Sequence, residues 1–274
     1  MLWSGDTLFP HIPATIAKLR ALGKQLVFVT NNSTKSRADY KKKFDSMGIE
    51  ASVDEVFGSS YSAAVYIARI MQFPDPAKKK VFVLGESGVE QELASEGVAF
   101  CGGTDPLLRR EMLPEDFKNV ASGALLDEEV GVVLTGLDYH PSYLKYALGQ
   151  AYIRNGAQFL ATNIDSTLPS AGTLFPGAGA TSAPLIRAVG REPLALGKPS
   201  QAMMDAIEGK FKFDRKKAVM VGDRLNTDIQ FGIEGGLGGT LCVLTGVSKK
   251  EEFLAKGATV VPSAYVDALG DLLG

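Results

Sequence analysis

Cysteine and histidine are nearly missing from this chain of 274 residues, with two of each. Cys101 and Cys242 are too few for a disulfide framework or a cysteine-rich zinc site, and free thiols suit a cytoplasmic protein. His11 and His140 stand far apart, so neither histidine-based metal ligation nor a Ser–His nucleophile pair has the residues it needs. Surplus positive charge is absent as well. Lys+Arg number 29 against 31 Asp+Glu, a net charge of −2, which leaves no broad basic field for nucleic acid. The short runs Lys41–Lys43 and Lys78–Lys80 read as solvated helix ends or loops, not as phosphate patches. No apolar run is long enough to span a bilayer, and no basic region leads into an apolar one near Met1, so a membrane partner is not expected.

What the chain does have is 45% hydrophobic residues, ample for a core, arranged in alternating strand-like and helix-like segments. That alternation predicts an α/β protein with a mostly parallel sheet. "QLVFVT" (25–30) suits a central strand buried on both faces, and "KSRADYKKKFDSMG" suits a helix stopped by Gly48. "EVFGSS" with "YSAAVYIARIM" repeats the rhythm, as do "KAVMVGD", "NTDIQFGIEGG", "TLCVLTG" and "KKEEFLAKG". A middle stretch has its own series, "KVFVLGE", "VGVVLTGLD", "PSYLKYALGQAYIRNG" and "QFLATN", between the proline-marked joints "QFPDPAKKK" and "LFPGAGA". Residues 79–178 are therefore expected to be a second α/β domain inserted into a core of 1–78 and 179–274. The likeness of "QLVFVTNNST" to "QFLATNIDST" reads as two similar strand ends, since only the first opens a helix.

Three stretches could carry chemistry. In "FVTNNSTKSR", Thr30 ends a strand just before a helix, whose free N–H groups and dipole favour an anion; Ser33 or Thr34 as a plain helix cap explains the pattern equally well. In "LALGKPSQAMMDAI", Gly197 allows a turn, Pro199 can start a helix, and Lys198 is left at a strand end as a compact charge suited to a phosphoryl oxygen. Taken alone it reads as a surface lysine. "VMVGDRLNTDIQFG" ends a strand on Asp223 and puts Asp228 in the first turn of the next helix. Few carboxylates with retained waters is how Mg²⁺ prefers to bind. Asp228 is also an ordinary first-turn acid, whereas Asp223 has no such bland explanation. "GGLGGT" precedes a strand instead of following one, and "PGAGAT" lacks an adequate strand before it, so neither is a dinucleotide cradle.

In that order, "FVTNNS", "GKP" and "GDRLNTDI" resemble the second, third and fourth motifs of the haloacid dehalogenase-type phosphatases. "LRALGKQLVFVTNNSTKSR", "GLDYH", "FLATNIDST", "PGAGA", "LGKPSQAMM" and "GDRLNTDIQFG" are similar to the p-nitrophenyl phosphatase, phosphoglycolate phosphatase and pyridoxal phosphatase branch, over essentially the whole chain. The resemblance implies a Rossmann-like core, a parallel sheet with helices on both faces, and an inserted α/β cap of the larger (C2) type. It implies a Mg²⁺-dependent phosphomonoesterase acting on a small phosphorylated metabolite through an aspartyl-phosphate. Thr30 and the amides of Asn31 and Asn32 would hold phosphoryl oxygens, and Lys198 would neutralise them. Asp223 would ligate Mg²⁺, and Asp228 would position Lys198 or a metal-bound water. Asn163 and Asp165 would lie in the substrate-choosing cap loop. Neither the substrate nor the state of assembly is implied, and a homodimer stays open.

One part of the pattern is lacking. The family's nucleophile and its acid–base partner sit in an Asp-x-Asp-Gly motif ending the first strand, with an apolar residue, Trp and Gly-Asp coming after it. Here Leu2-Trp3 and Gly5-Asp6 align with those later positions, so the motif falls before Met1 and Asp6 cannot replace it. A start placed too late in a gene is the expected reason, and the 274 residues alone are expected to be inactive and loosely folded. The alternative is a non-catalytic protein that keeps the phosphate or partner site.

Overall fold

The computed structural model describes residues 1–274 except Asp6, Pro74 and Ala171, so the Gly5-Asp6 reading falls partly outside the described residues. An antiparallel hairpin, β1 (Trp3–Ser4) and β2 (Thr7–Leu8), leads into α1 (Ile12–Ala21). Then come β3 (Phe28–Thr30), α2 (Arg37–Ser46), β4 (Val56–Gly58) and α3 (Ser59–Val65). The middle stretch gives β5 (Lys80–Leu84), α4 (Ser87–Ser95), β6 (Phe100–Gly102), α5 (Pro114–Ser122), β7 (Val130–Thr135), α6 (Tyr143–Arg154) and β8 (Gln158–Ala161). A second hairpin, β9 (Thr167–Ser170) and β10 (Thr173–Pro176), precedes α7 (Ala178–Val189), β11 (Leu194–Ala195) and α8 (Gln201–Phe211). The chain ends through β12 (Val219–Gly222), α9 (Gln230–Glu234), β13 (Gly239–Val243), α10 (Lys250–Leu254) and β14 (Ala264–Val266).

Outside the two hairpins every strand pairing among the described residues is parallel, as the alternating sequence predicts. Five strands form one sheet in the order β11-β8-β7-β5-β6. Its faces follow the two-residue period of a strand. Val81 and Val83 of β5 pack with Ala63, Val89 and Leu93, while Phe82 and Leu84 pack with Leu144, Leu148 and Leu185. Each face is thus covered by helices, and the side chains of β7 are all buried.

The remaining parallel strands form two separate sheets, β3-β4 and β12-β13-β14. A cavity of about 510 Å³ lies between them, lined on one side by Val27–Thr30 and on the other by Val219–Val221. This corrects one expectation. The run 25–30 does not make a strand buried on both faces: the ladder holds only Phe28–Thr30, and all three residues are half-buried because β3 has a partner on one edge alone.

Local chemistry sets the element ends. Ser36 caps α2 with a reciprocal box, accepting from the Asp39 N–H while Asp39 Oδ2 accepts from the Ser36 N–H, both at 3.2 Å. Gly48, at φ 66°, ends that helical run in the left-handed region that glycine adopts cheaply. Pro199 does not open α8 as read from the sequence. It comes after a cis peptide bond, and α8 begins at Gln201. "PGAGAT" does have a four-residue strand before it, β10, but that strand belongs to an antiparallel hairpin, so no dinucleotide cradle is formed.

Candidate functional site

Thr30 ends β3 and Asp223 stands just after β12, and both line the mouth of the cavity between the two sheets. The carboxyl ends of parallel strands are where α/β proteins gather polar side chains for a ligand. Lys198 reaches this mouth from the loop before α8. It is 8% exposed, and its Nζ donates to Asp228 Oδ1 at 2.6 Å and to the Val29 carbonyl at 3.2 Å. It is not the surface lysine that its sequence alone suggests.

Asp228 sits in a turn of wide helix, Leu225–Ile229, that runs into α9. Its second oxygen accepts from the backbone N–H groups of Asp223 and Arg224, both at 3.1 Å. The carboxylate is therefore oriented on one side by the strand end and presents its other oxygen to the lysine. Close packing enforces this: a Cβ on Gly222 would lie 2.1 Å from the Asp228 Cβ.

Asn31 links several loops. Its Oδ1 accepts from the Lys198 N–H at 2.8 Å, and its Nδ2 donates to the Lys198 carbonyl at 3.0 Å and to both Asp165 oxygens at 3.2 Å. Its own carbonyl accepts from Asn163 Nδ2 at 2.6 Å and from Ser59 Oγ at 2.7 Å. Asn163 and Asp165 are thus brought to the same cluster as Lys198. Burial pushes the Asp165 carboxyl above its ordinary value, with the Arg224 charge and the Asn31 hydrogen bond acting the other way. Asn32 closes a local turn: its Oδ1 accepts from the Thr34 N–H at 3.0 Å, and its own N–H donates to Thr30 Oγ1 at 3.2 Å.

Asp223 is the carboxylate with the fewest protein donors of the two in this motif. Its Oδ1 lies 3.5 Å from the Met1 ammonium, and Oδ2 accepts from the Val247 N–H at 3.3 Å. The loop after β13 comes so close that a Cβ on Gly246 would fall 1.6 Å from Asp223 Oδ2. An anionic oxygen donor at the mouth of this cavity suits Mg²⁺, a hard cation that takes one or two carboxylates plus phosphate and water oxygens. A different acidic group, Glu86, Asp138 and His140, brings its ligand atoms within 4.8 Å of one another. Its carboxylates are already engaged, Glu86 with Arg109 and Asp138 with the fully buried Lys145 at 2.7 Å.

Sequence reasoning missed four contributors. Arg224 donates to the Thr167 carbonyl at 3.3 Å and so ties the Asp223 loop to β9. Ser248 Oγ accepts from the Leu225 N–H at 3.1 Å, and Tyr40 places its hydroxyl 3.3 Å from Thr30 Oγ1. Gly246 is the fourth. Arg224 lay within a motif already singled out, but Ser248, Tyr40 and Gly246 carry no local signal, because only the fold brings them near.

Known proteins share this sequence and this fold. Family models described as haloacid dehalogenase-like hydrolase and HAD-hydrolase-like match residues 1–99 and 195–272. The 4-nitrophenylphosphatase of Schizosaccharomyces pombe is 51% identical over 273 residues, 99% of this chain and 90% of that protein. Phosphoglycolate phosphatase 1A of Arabidopsis thaliana, a chloroplastic protein, is 40% identical over 276 residues, 100% of this chain and 74% of that one. Among solved structures, the glycerol phosphate phosphatase of Mycobacterium tuberculosis in complex with magnesium superposes with a TM-score of 0.80. It is 27% identical, with 99% of this chain and 73% of that chain covered.

Proposed function

The chain belongs to the haloacid dehalogenase-like hydrolases, and from that premise we propose that it is a Mg²⁺-dependent phosphomonoesterase for small phosphorylated metabolites. One observation carries the reading: a buried lysine, oriented by Asp228, at a cavity mouth between a strand-end hydroxyl and a strand-end carboxylate. Lys198 supplies a fixed positive charge for phosphoryl oxygens, and in a dry site such a charge acts strongly. The Thr30 hydroxyl and the Asn31 amide would add hydrogen-bond donors, whereas the Asn32 N–H, also expected to hold a phosphoryl oxygen, is taken up by Thr30 Oγ1. Asn31's side chain does a different job, holding the Lys198 backbone in place. Asp223 would hold Mg²⁺, whose contribution when bound is to neutralise phosphoryl charge. Asp165 lines the same cavity, with Asn163 buried beside it on the Asn31 carbonyl, and this loop would choose among esters.

The 274 residues contain no Asp-x-Asp-Gly sequence, and Asp228, the acid nearest the lysine, is committed to orienting it. We therefore expect this polypeptide by itself to bind phosphate-like anions without turning over an ester. The cytoplasm suits its free thiols. A non-catalytic phosphate-binding role is the second reading, favoured by the same committed Asp228.

The experiment compares p-nitrophenyl phosphate hydrolysis by the 274-residue chain with that by a form extended at its amino terminus by an apolar strand ending in Asp-x-Asp-Gly. The short form should match a buffer blank with or without Mg²⁺. The extended form should be active only with Mg²⁺ and should lose activity with Asp223→Asn. Turnover by the short form, or Mg²⁺-independent turnover by the long one, would refute the assignment.

A further inference from the structure

A hydroxyl attracts an anion through its proton and repels one through its lone pairs. Which way Thr30 turns its proton is therefore decisive, and the side chains behind it set the answer. The series starts at Asn32. Its Oδ1 accepts from the Thr34 N–H at 3.0 Å and from the Thr34 hydroxyl at 2.8 Å, so its Nδ2 is left as the donor at the other corner of the amide. Tyr40, on α2 and 7% exposed, holds its hydroxyl 3.3 Å from Thr30 Oγ1, with the Asn32 side chain as the other hydrogen-bonding group beside it. Burial pushes the Tyr40 phenol above its ordinary value, with Thr30 and Asn32 acting the other way, so it keeps its proton near neutral pH. An amide donor can take only a phenolic lone pair, which turns the phenolic proton toward Thr30 Oγ1. That oxygen already accepts from the Asn32 N–H at 3.2 Å. Both its lone pairs are then filled. Its own proton is left for the cavity that Thr30 lines together with Lys198.

We propose that Tyr40 is a positioning residue that fixes the Thr30 hydroxyl as a donor toward the phosphoryl group. The role rests on the phosphate reading given above and goes beyond it, since Tyr40 acts only through Thr30. Helix α2 keeps the phenol in place: the Tyr40 N–H donates to the Ser36 carbonyl at 3.0 Å in the capped first turn, and its ring packs 6.4 Å from that of Phe44. A donor oriented beforehand needs no reorganisation when charge arrives, and each hydrogen bond in the series polarises the next.

The test titrates inorganic phosphate into the 274-residue chain by calorimetry at fixed Mg²⁺. Tyr40→Phe keeps the ring and loses the donor, and should weaken binding about four- to tenfold, the size of one hydrogen bond. Thr30→Val removes a donor to a charged oxygen and should weaken it by at least about tenfold. In the Thr30→Val background, adding Tyr40→Phe should have almost no further effect, whereas a tyrosine that merely supports the fold would cost the same in both backgrounds. Thr30→Ser, which keeps the hydroxyl, should keep the dependence on Tyr40. Wild-type affinity in Tyr40→Phe, or an equal loss with and without the Thr30 hydroxyl, would overturn the proposal while Lys198→Ala still upholds the phosphate reading by losing affinity. No phosphate binding by wild type, or binding indifferent to Lys198→Ala, would overturn that reading and this proposal with it.

Discussion

Asp165 is the side chain whose protonation should be felt most directly. Its carboxyl is raised above the ordinary aspartate value of 3.8 by burial. The folded state therefore binds that proton more tightly than the unfolded one. The resulting stability is fully present below the unfolded value and is lost as pH rises through the raised folded value. Asp165→Asn removes the titration while keeping an oxygen to accept from Asn31. Urea unfolding at stepped pH should show wild type losing ground to the variant as pH rises above about 4. Wild type gaining on the variant over that range would contradict the burial argument. The same scale explains what a lone lysine in a sequence cannot convey. Lys198 is buried because Asp228, thirty positions away, meets its charge, and Asn31 grips its backbone from the loop after β3.

At the scale of elements, the loop after β13 is fitted against the end of β12 with no room to spare. Gly246→Ala should push the Asp223 carboxylate out of place. In the form extended at its amino terminus, calorimetric titration should show Mg²⁺ affinity falling by about 10–100-fold, the usual cost of disturbing a ligand's support. Gly239→Ala is the contrast: its added Cβ would make only ordinary contacts, the nearest at 3.7 Å, and affinity should hold. If both variants bound alike, the loop would not be supporting Asp223. Much at this scale was legible in the sequence. Apolar runs located β5, β7, β8, β12 and β13, and Gly48 marked the end of α2, but its cap is Ser36 and not Ser33 or Thr34 as read from the sequence. The shortening of "QLVFVT" to three paired residues was not legible, because ladder length depends on having a neighbour. The wide turn at Leu225–Ile229 was also hidden, since its shape is set by Asp228 bonding back to its own loop.

Across the whole molecule, α2 and α4 meet at a buried clasp. Arg37 at the start of α2 donates through Nε to Glu92 Oε2 at 2.9 Å, and its N–H donates to Glu92 Oε1 at 2.6 Å. Its guanidinium lies 3.5 Å over the Tyr61 ring. Glu92 is 2% exposed, so removing its partner leaves a charge with little access to water. A double-mutant cycle of Arg37→Met and Glu92→Gln, read by chemical denaturation, should give a coupling of about 1–3 kcal/mol. Simple additivity would show that this clasp joins the two helices only in appearance. The order of the chemical motifs along the chain could be read beforehand. Their convergence at one mouth could not, because Asn31, Asp165, Lys198 and Asp228 come from four separate stretches that only the folded chain assembles.

Trp3, the single tryptophan of the chain, lies edge-on to Phe44 at 5.6 Å with the Lys43 ammonium 4.9 Å from its ring, and it forms part of the wall of the cleft. The molecule thus carries its own optical reporter at the gap between its two smaller sheets. Any change at that gap alters the polarity around one indole, and ultraviolet emission from unlabelled protein reads it with no second tryptophan to confuse the signal.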